Sequence, residues 1–280
     1  MKKHYSPGIL PAMAFILLLL PGCKKSTDYL KDNPAAEFCP CRIRQINLVQ
    51  SDDQQKDTLR FSYNASGDPV SIVGLHGSTG HPNWLLRYDP HGRLTDLIGA
   101  YRIDDLGSVE RWNRYFYDAQ GRIVKDSLYD FPGVVDGRPV IDPKYFTGVD
   151  IILYEYDDKG RVSKETFIAG NFTLVTSYAY DAHGNRMEPT LTQTSGTHTS
   201  AAVRTYDNKI NYHRTSKVWM FIDKDYSVDN PLVADYTYNA FGLPVSIVPF
   251  AGTTQNFFTV AHTTYQFDSA TIGYDCQGGL

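Results

Sequence analysis

A handful of stretches in this sequence combine residue types that can do chemistry, and each has a plain structural alternative. His76-Gly77-Ser78-Thr79-Gly80-His81 sets two histidines around a glycine-rich turn. Imidazoles so placed can hold a metal ion, and the N–H groups of such a turn can hold an anion. No lysine and no strand–loop–helix context accompany the loop, so it is not a phosphate loop. A connection between two hairpins accounts for it more simply. Asp223-Lys224-Asp225-Tyr226-Ser227-Val228-Asp229 places oxygen side chains at alternate positions, as a calcium loop does. Val228 stands where that loop needs glycine, and Ala234 where it needs the bidentate acid, so the hand-type site fails. The simpler reading is a polar strand end after Val218-Trp219-Met220-Phe221-Ile222. No G-x-S-x-G elbow is present, and with 31 acidic residues no catalytic pair can be selected by spacing. The chain is expected to be non-catalytic and to need no cofactor and no metal.

Cysteine is the other reactive type, and there are four. Lys2 and Lys3 precede an apolar stretch, Gly8 to Leu20, that is too short for an ordinary spanning helix and reads as a secretory signal. It ends in Leu20-Pro21-Gly22-Cys23, which resembles a bacterial lipobox, whose cysteine is acylated and becomes the mature N-terminus. Cys23 is thus the expected lipid attachment site. Residues 1–22 are expected to be signal, and residues 23–41 a lipidated N-terminus and polar tether. Cys39, Cys41 and Cys276 remain; in an oxidising envelope, Cys39 or Cys41 could pair with Cys276 and tie the start of the fold to its end. A metal site at Cys39-Pro40-Cys41 lacks a second pair of ligands.

The elements that must position these residues announce themselves by repetition. The phrase aromatic, any residue, aromatic, Asp or Asn, two residues, Gly recurs at Phe61–Gly67, at Tyr88–Gly92, Tyr117–Gly121, Tyr156–Gly160 and Tyr180–Gly184, and at Tyr238–Gly242. A worn seventh copy, Tyr265-Gln266-Phe267-Asp268, closes the series. The Asp or Asn accepts a backbone N–H two residues on, and the next two positions tolerate most residues. The Gly then takes the left-handed conformation and opens the returning strand with a bulge. Gly67, Gly92, Gly121, Gly160, Gly184 and Gly242 are therefore turn-structural residues, and His91 and His183 are turn residues facing solvent. Rings two positions apart leave one face of a strand, and the residues between them, such as Ser62, Arg87 and Glu155, are mostly polar. Val70 and Ile72 alternate with Ser71, and Val245 and Ile247 with Ser246, whereas the residues after Leu94, Ile123 and Val162 do not alternate. Another unit is expected at Thr205–Ile210, with Asn208 as its left-handed residue.

Removing residues 1–22 leaves 280 − 22 = 258 residues, enough for one core, and takes two lysines from a net charge of −4, leaving −6. A mildly acidic chain without a basic run argues against a nucleic-acid partner. Residues 42–280 are expected to form one all-β domain: an antiparallel meander of repeated hairpins, because short connections keep consecutive strands adjacent. A one-sided apolar sheet of this length must cover that face, so it should curl into an open barrel or shell with its rings inside, a two-sheet sandwich being the alternative. The inserts Asp130–Asp150 and Pro189–Ala202 are expected to plug its ends.

The phrase Tyr-Asp-x-x-Gly-Arg, best kept at Tyr88–Arg93, Tyr117–Arg122 and Tyr156–Arg161, resembles the YD repeat of Rhs and teneurin-type proteins, and covers about residues 58–268 in degenerate form. The whole chain also resembles Gram-negative envelope lipoproteins with YD-like repeats. The resemblance implies a continuous sheet of the kind that curls, in the larger relatives, into a shell around other polypeptide; this chain is too short for a complete shell, and the resemblance supplies no catalytic residue. The lipoprotein layout implies the outer membrane, on its periplasmic or its surface side. The expected function is a lipid-anchored protein whose repeat sheet binds or scaffolds, with a glycan or protein ligand. Trp84, Trp112 and Trp219 are candidates for stacking on sugars if their rings are exposed. The alternatives are an envelope hydrolase acting on glycans and a structural piece of a polymorphic secretion system.

Overall fold

The computed structural model describes residues 23–38, 40–51, 54–104, 106–141, 148–193, 196–199, 204–251, 255–260 and 263–277; the expected signal segment and Cys39 lie outside them. Helix α1 (Cys23–Asp32) precedes a run of strands: β1 (Cys41–Gln50), β2 (Lys56–Tyr63), β3 (Pro69–Val73), β4 (Asn83–Tyr88), β5 (Leu94–Ala100), β6 (Val109–Tyr117) and β7 (Ile123–Asp130). A small hairpin, β8 (Gly133–Val135) and β9 (Arg138–Val140), interrupts before β10 (Asp150–Tyr156), β11 (Val162–Ala169), β12 (Phe172–Ser177), β13 (Thr190–Gln193) and β14 (Gly196–Thr199). Next come β15 (Tyr206–Ile210), a 3₁₀ turn at Tyr212–Thr215, α2 (Lys217–Ile222) and β16 (Asp229–Pro231). The chain closes with β17 (Ala234–Tyr238), β18 (Pro244–Pro249), β19 (Gln255–Val260) and β20 (Thr263–Cys276). The fold is all-β, and 16 strands form one antiparallel sheet.

From β14 back to β1 the sheet is a meander in chain order, then β20, β18 and β17 add to the far side of β1. The path ends at β14 and β17, which do not pair, so the sheet is open and not a closed barrel. It nevertheless curls. Phe61 of β2 meets Trp219 of α2 edge to face at 5.7 Å, and Tyr115 of β6 and Tyr154 of β10 both meet Phe221 at 5.7 and 5.0 Å. Strands so far apart in the sheet can touch one short helix only if the sheet wraps around it.

That helix corrects two expectations. Val218–Ile222 is helical, not the end of a strand, and all five residues are buried. An apolar run of this length fits strand and buried helix equally, and the ends decide. Ser216 caps the start by accepting from Val218 N at 3.2 Å, and Lys224 ends it in the left-handed region at φ +49°. The plug of the curl is thus the 211–228 segment. The described parts of the inserts expected to plug the ends lie elsewhere: Val134 packs against a separate cluster with Ile98 and Trp112, and β13–β14 extends the sheet edge. The worn copy at Tyr265–Asp268 makes no turn, because without its glycine the chain runs on through β20.

The hairpins explain the imperfect alternation. Tyr117 pairs with Ile123 and Phe116 with Lys125, leaving Val124 as a bulge residue. The same skip follows the turns at Tyr63, Tyr88, Tyr156 and Tyr238. One extra residue shifts the strand's facing by one, so the inward positions are the second and fifth after the glycine. Ile72 and Ile247 are accordingly buried while Val70 and Val245 are half-buried, which corrects the simple alternation expected there.

The segment expected to be a tether is partly folded. Leu30 and Phe38 are buried in a cluster with Cys41, Ile210 and Leu243, and Asn208 takes φ +74° in the neighbouring β15, which pairs with β16 apart from the main sheet.

Candidate functional site

All six repeat turns lie at one end of the sheet, and their motif residues hold each other. Asp118 Oδ1 accepts the N–H groups of Gln120 and Arg122 at 2.9 Å each, and its Oδ2 accepts Arg122 Nε at 2.9 Å. Asp89 does the same with His91 and Arg93, and Asp157 with Lys159 and Arg161. The backbone N–H of Arg93, reinforced by its guanidinium, holds the Asp89 carboxyl below the usual carboxylate range, and Arg122 does so for Asp118. Each arginine then lies over the tyrosine ring of the next repeat: Arg93 on Tyr117 at 5.0 Å, Arg122 on Tyr156 at 5.1 Å, Arg161 on Tyr180 at 3.8 Å. The turn glycines have φ between 74° and 93°.

The tyrosines complete a chain of latches. Tyr63 donates its hydroxyl to Ile43 O, Tyr88 to Pro69 O, Tyr117 to Leu94 O and Tyr156 to Ile123 O, at 2.6–2.8 Å. Half-burial of the rings follows, and burial pushes the Tyr117 phenol up to about 12. Tyr63, Tyr88, Tyr117, Tyr156 and Tyr180 are partly buried against the core, and Tyr238 is half-buried outside that cluster.

A pocket of about 300 Å³ opens between this tyrosine row and α2. Tyr88, Tyr117 and Tyr156 wall it, Val218, Phe221 and Tyr226 face them, and Arg93, Arg122 and Lys217 supply the cationic groups. Among the described lining residues there is no carboxylate. Acids stand just behind the lining all the same: Lys217 Nζ lies 4.0 Å from Asp68, and Lys217 N donates to Glu37 at 2.5 Å.

Deeper in the curl is a polar group that the sequence reading passed over. Counting five residues from Gly67, Gly92, Gly121, Gly160 and Gly242, the five turn glycines that open a returning strand, gives Ile72, Leu97, Asp126, Glu165 and Ile247. Two of these inward positions carry acids. Asp126 is 1% exposed, accepts Asn113 Nδ2 at 2.7 Å, and burial raises its carboxyl to about 7 against the pull of Asn113 and Lys224. Glu165 lies 3.4 Å from Lys224 Nζ, which also caps Ile222 O at 3.0 Å. The signal that could have found them is this positional mismatch within the repeat, visible once the bulge is counted.

The loops singled out for metal chemistry are used internally. Asp223 Oδ2 is 2.6 Å from His213 Nε2, and Asp225 Oδ1 accepts Ser227 N at 3.0 Å. Asp229 Oδ2 accepts Asn185 Nδ2 at 2.9 Å. Burial opposes the Asp225 charge, but Arg186 and His213 outweigh it and hold its carboxyl far below the usual range. In the 76–81 loop, Ser78 and His81 exchange backbone hydrogen bonds at 3.1 and 2.9 Å, Gly80 N donates to Glu110, and His76 is exposed. His91 and His183 are exposed turn residues. Among the described residues, no cluster of three or more His, Cys, Asp or Glu is arranged for a metal. Trp84, Trp112 and Trp219 are all buried, so none offers a ring face to a sugar, a correction to their candidacy. Cys41 and Cys276 form a disulfide at the turn end, and Cys23 begins α1.

The fold and pocket define an all-β protein built on an open, curled sheet of repeated hairpins around an internal plug. No protein-family model matches the chain. A porin-like protein from Bacteroides uniformis aligns over 84% of this chain and 98% of its own length, at 11% identity and a TM-score of 0.47. The TcdB2–TccC3–Cdc42 structure aligns over 70% of this chain at 15% identity, TM-score 0.31. The Photorhabdus luminescens Tc holotoxin pore aligns over 72% at 13% identity, TM-score 0.29. The chain spans 10% and 11% of the length of those two toxin chains.

Proposed function

We propose that this is a lipid-anchored, non-catalytic binding protein of the bacterial outer membrane, with the turn-end pocket as its ligand site and a glycan as its ligand. The anchor rests on Lys2, Lys3, the apolar stretch and Cys23. The observation that carries the binding reading is the pocket's lining: three tyrosines of one repeated position on one wall and three cationic side chains, whose acidic partners Asp89, Asp118 and Asp68 are outside the lining. Ring faces suit the apolar face of a sugar, and guanidinium and ammonium donors suit its hydroxyls or a uronate carboxylate. The resemblance to YD repeats belongs to this reading as a source of architecture.

A glycan hydrolase is the second reading, and Asp126 favours it, since an acid raised to about 7 lies where a general acid works best. Its burial and the absence of carboxylates from the pocket lining weigh against it. Calorimetric titration of the full chain with neutral and uronic-acid oligosaccharides tests the proposal. Saturable binding is expected, tighter for uronates and lost at least tenfold in Lys217→Glu. No saturable binding of any sugar, or unchanged affinity in Lys217→Glu, counts against it, and release of shorter sugars would favour the hydrolase.

A further inference from the structure

The segment between the acylation site and the domain is not a free leash. Arg214, fully buried in the plug, donates to three of its carbonyls: Pro34 O, Ala36 O at 3.2 Å and Leu30 O at 3.0 Å. Phe38 N returns the contact by donating to Arg214 O at 2.6 Å. Leu30 and Phe38 add buried apolar anchors on either side. The strap crosses the turn end of the sheet. Ala35 lines the pocket beside Gly160, Glu37 meets Lys217, and the chain enters β1 where Cys41 joins Cys276.

From these contacts we propose that the turn end of the sheet is the face that lies against the membrane. The proposal rests on acylation of Cys23 in the reading above. Cys23 precedes the clamped Leu30 by seven residues of α1, a reach of about 10 Å at the helical rise. The strands are longer than that: the nine residues of β6 span about 30 Å. Acyl chains buried in a bilayer therefore keep the turns close to the surface, with the β1–β2 connection on the far side. Tyr29, which is 58% exposed on α1, is an aromatic of the kind that settles at a lipid headgroup interface. The pocket, being at the same end, opens beside the bilayer surface, where a membrane-linked glycan would be presented.

The test uses the acylated full chain in a Cys39→Ser background, reconstituted in phosphatidylcholine vesicles carrying a headgroup nitroxide. A fluorophore is placed through Lys159→Cys in a turn, or through Lys56→Cys at the opposite end. Several-fold stronger quenching at 159 than at 56 is expected. A Gly–Ser insert of about twenty residues after Lys25, with an r.m.s. span of about 25 Å, leaves the clamp untouched and should abolish the difference. Equal quenching at both positions of the uninserted protein, with the protein still on the vesicles, overturns the orientation alone. Failure to co-sediment with vesicles, unchanged in Cys23→Ser, overturns the anchor and the orientation with it.

Discussion

The hydroxyl of Tyr117 donates to the carbonyl of Leu94, 2.8 Å away and one hairpin earlier in the chain. Leu94 is the first residue of the returning strand β5 and Tyr117 the last of the outgoing strand β6, so the bond fastens one hairpin to the next at the turn end. A carbonyl is met in the same way by Tyr63, Tyr88 and Tyr156, which explains a tyrosine at these four copies: phenylalanine would fill the space and leave the carbonyl unmet, whereas Tyr238 donates instead to Asp207.

Tyr117→Phe is expected to cost about 1 kcal/mol, the usual net worth of such a bond. Tyr88→Phe and Tyr156→Phe should cost the same, and the three together about 3 kcal/mol if the latches act independently. Urea midpoints of the single and triple variants measure this; a triple variant as stable as wild type would show that the latches are incidental.

Gly121→Val should cost about 1–3 kcal/mol, because φ is +78° and a β-branched residue is strained there although the space around it is open. Gln120→Val, one residue away and exposed, should cost far less. Thermal melts of the two variants separate backbone strain from side-chain loss.

Replacing Cys41 and Cys276 by alanine opens a loop spanning a sequence separation of 235 residues, nearly the whole domain. The loss should be about 5 kcal/mol on the chain-entropy account, because the unfolded chain without the cross-link has more conformations open to it. A reductant should lower the melting temperature of wild type toward that of the double variant and leave the variant unchanged.

Asp126 sets a pH dependence of unusual sign for a carboxylate. Its folded value, about 7, lies above its ordinary value of 3.8, so the folded state holds the proton more tightly than the unfolded one. That stabilisation is complete below about pH 4 and is lost as pH rises to 7, by at most about 4 kcal/mol for three pKa units. Asp126→Asn imitates the protonated acid and should flatten the decline. Melting temperatures between pH 5 and 8 decide: parallel curves for both proteins would assign the slope to another group.

Much of this protein was written locally. The turn at Asp118–Arg122 needs only an acid two residues before an N–H donor and a glycine that accepts positive φ, and both are neighbours in the chain. The hairpins, their order in the meander and the all-β class follow from such local chemistry and from short connections. The turn implies the bulge after Gly67, Gly121 or Gly160, but which way Ile72, Asp126 and Glu165 face depends on the strand register, which pairs them with a neighbouring strand. What only the tertiary structure decided are the contacts between distant segments. Val218–Ile222 has no helical period to distinguish it from a strand, and its state was chosen by the open sheet that curls around it. The choice of Cys41 for Cys276, the clamp of Arg214 on Leu30 and Ala36, and the meeting of Lys217 with the tyrosine row join residues up to 235 positions apart. Spacing cannot encode such encounters, because they depend on how far the accumulated strand twist brings the sheet around its plug.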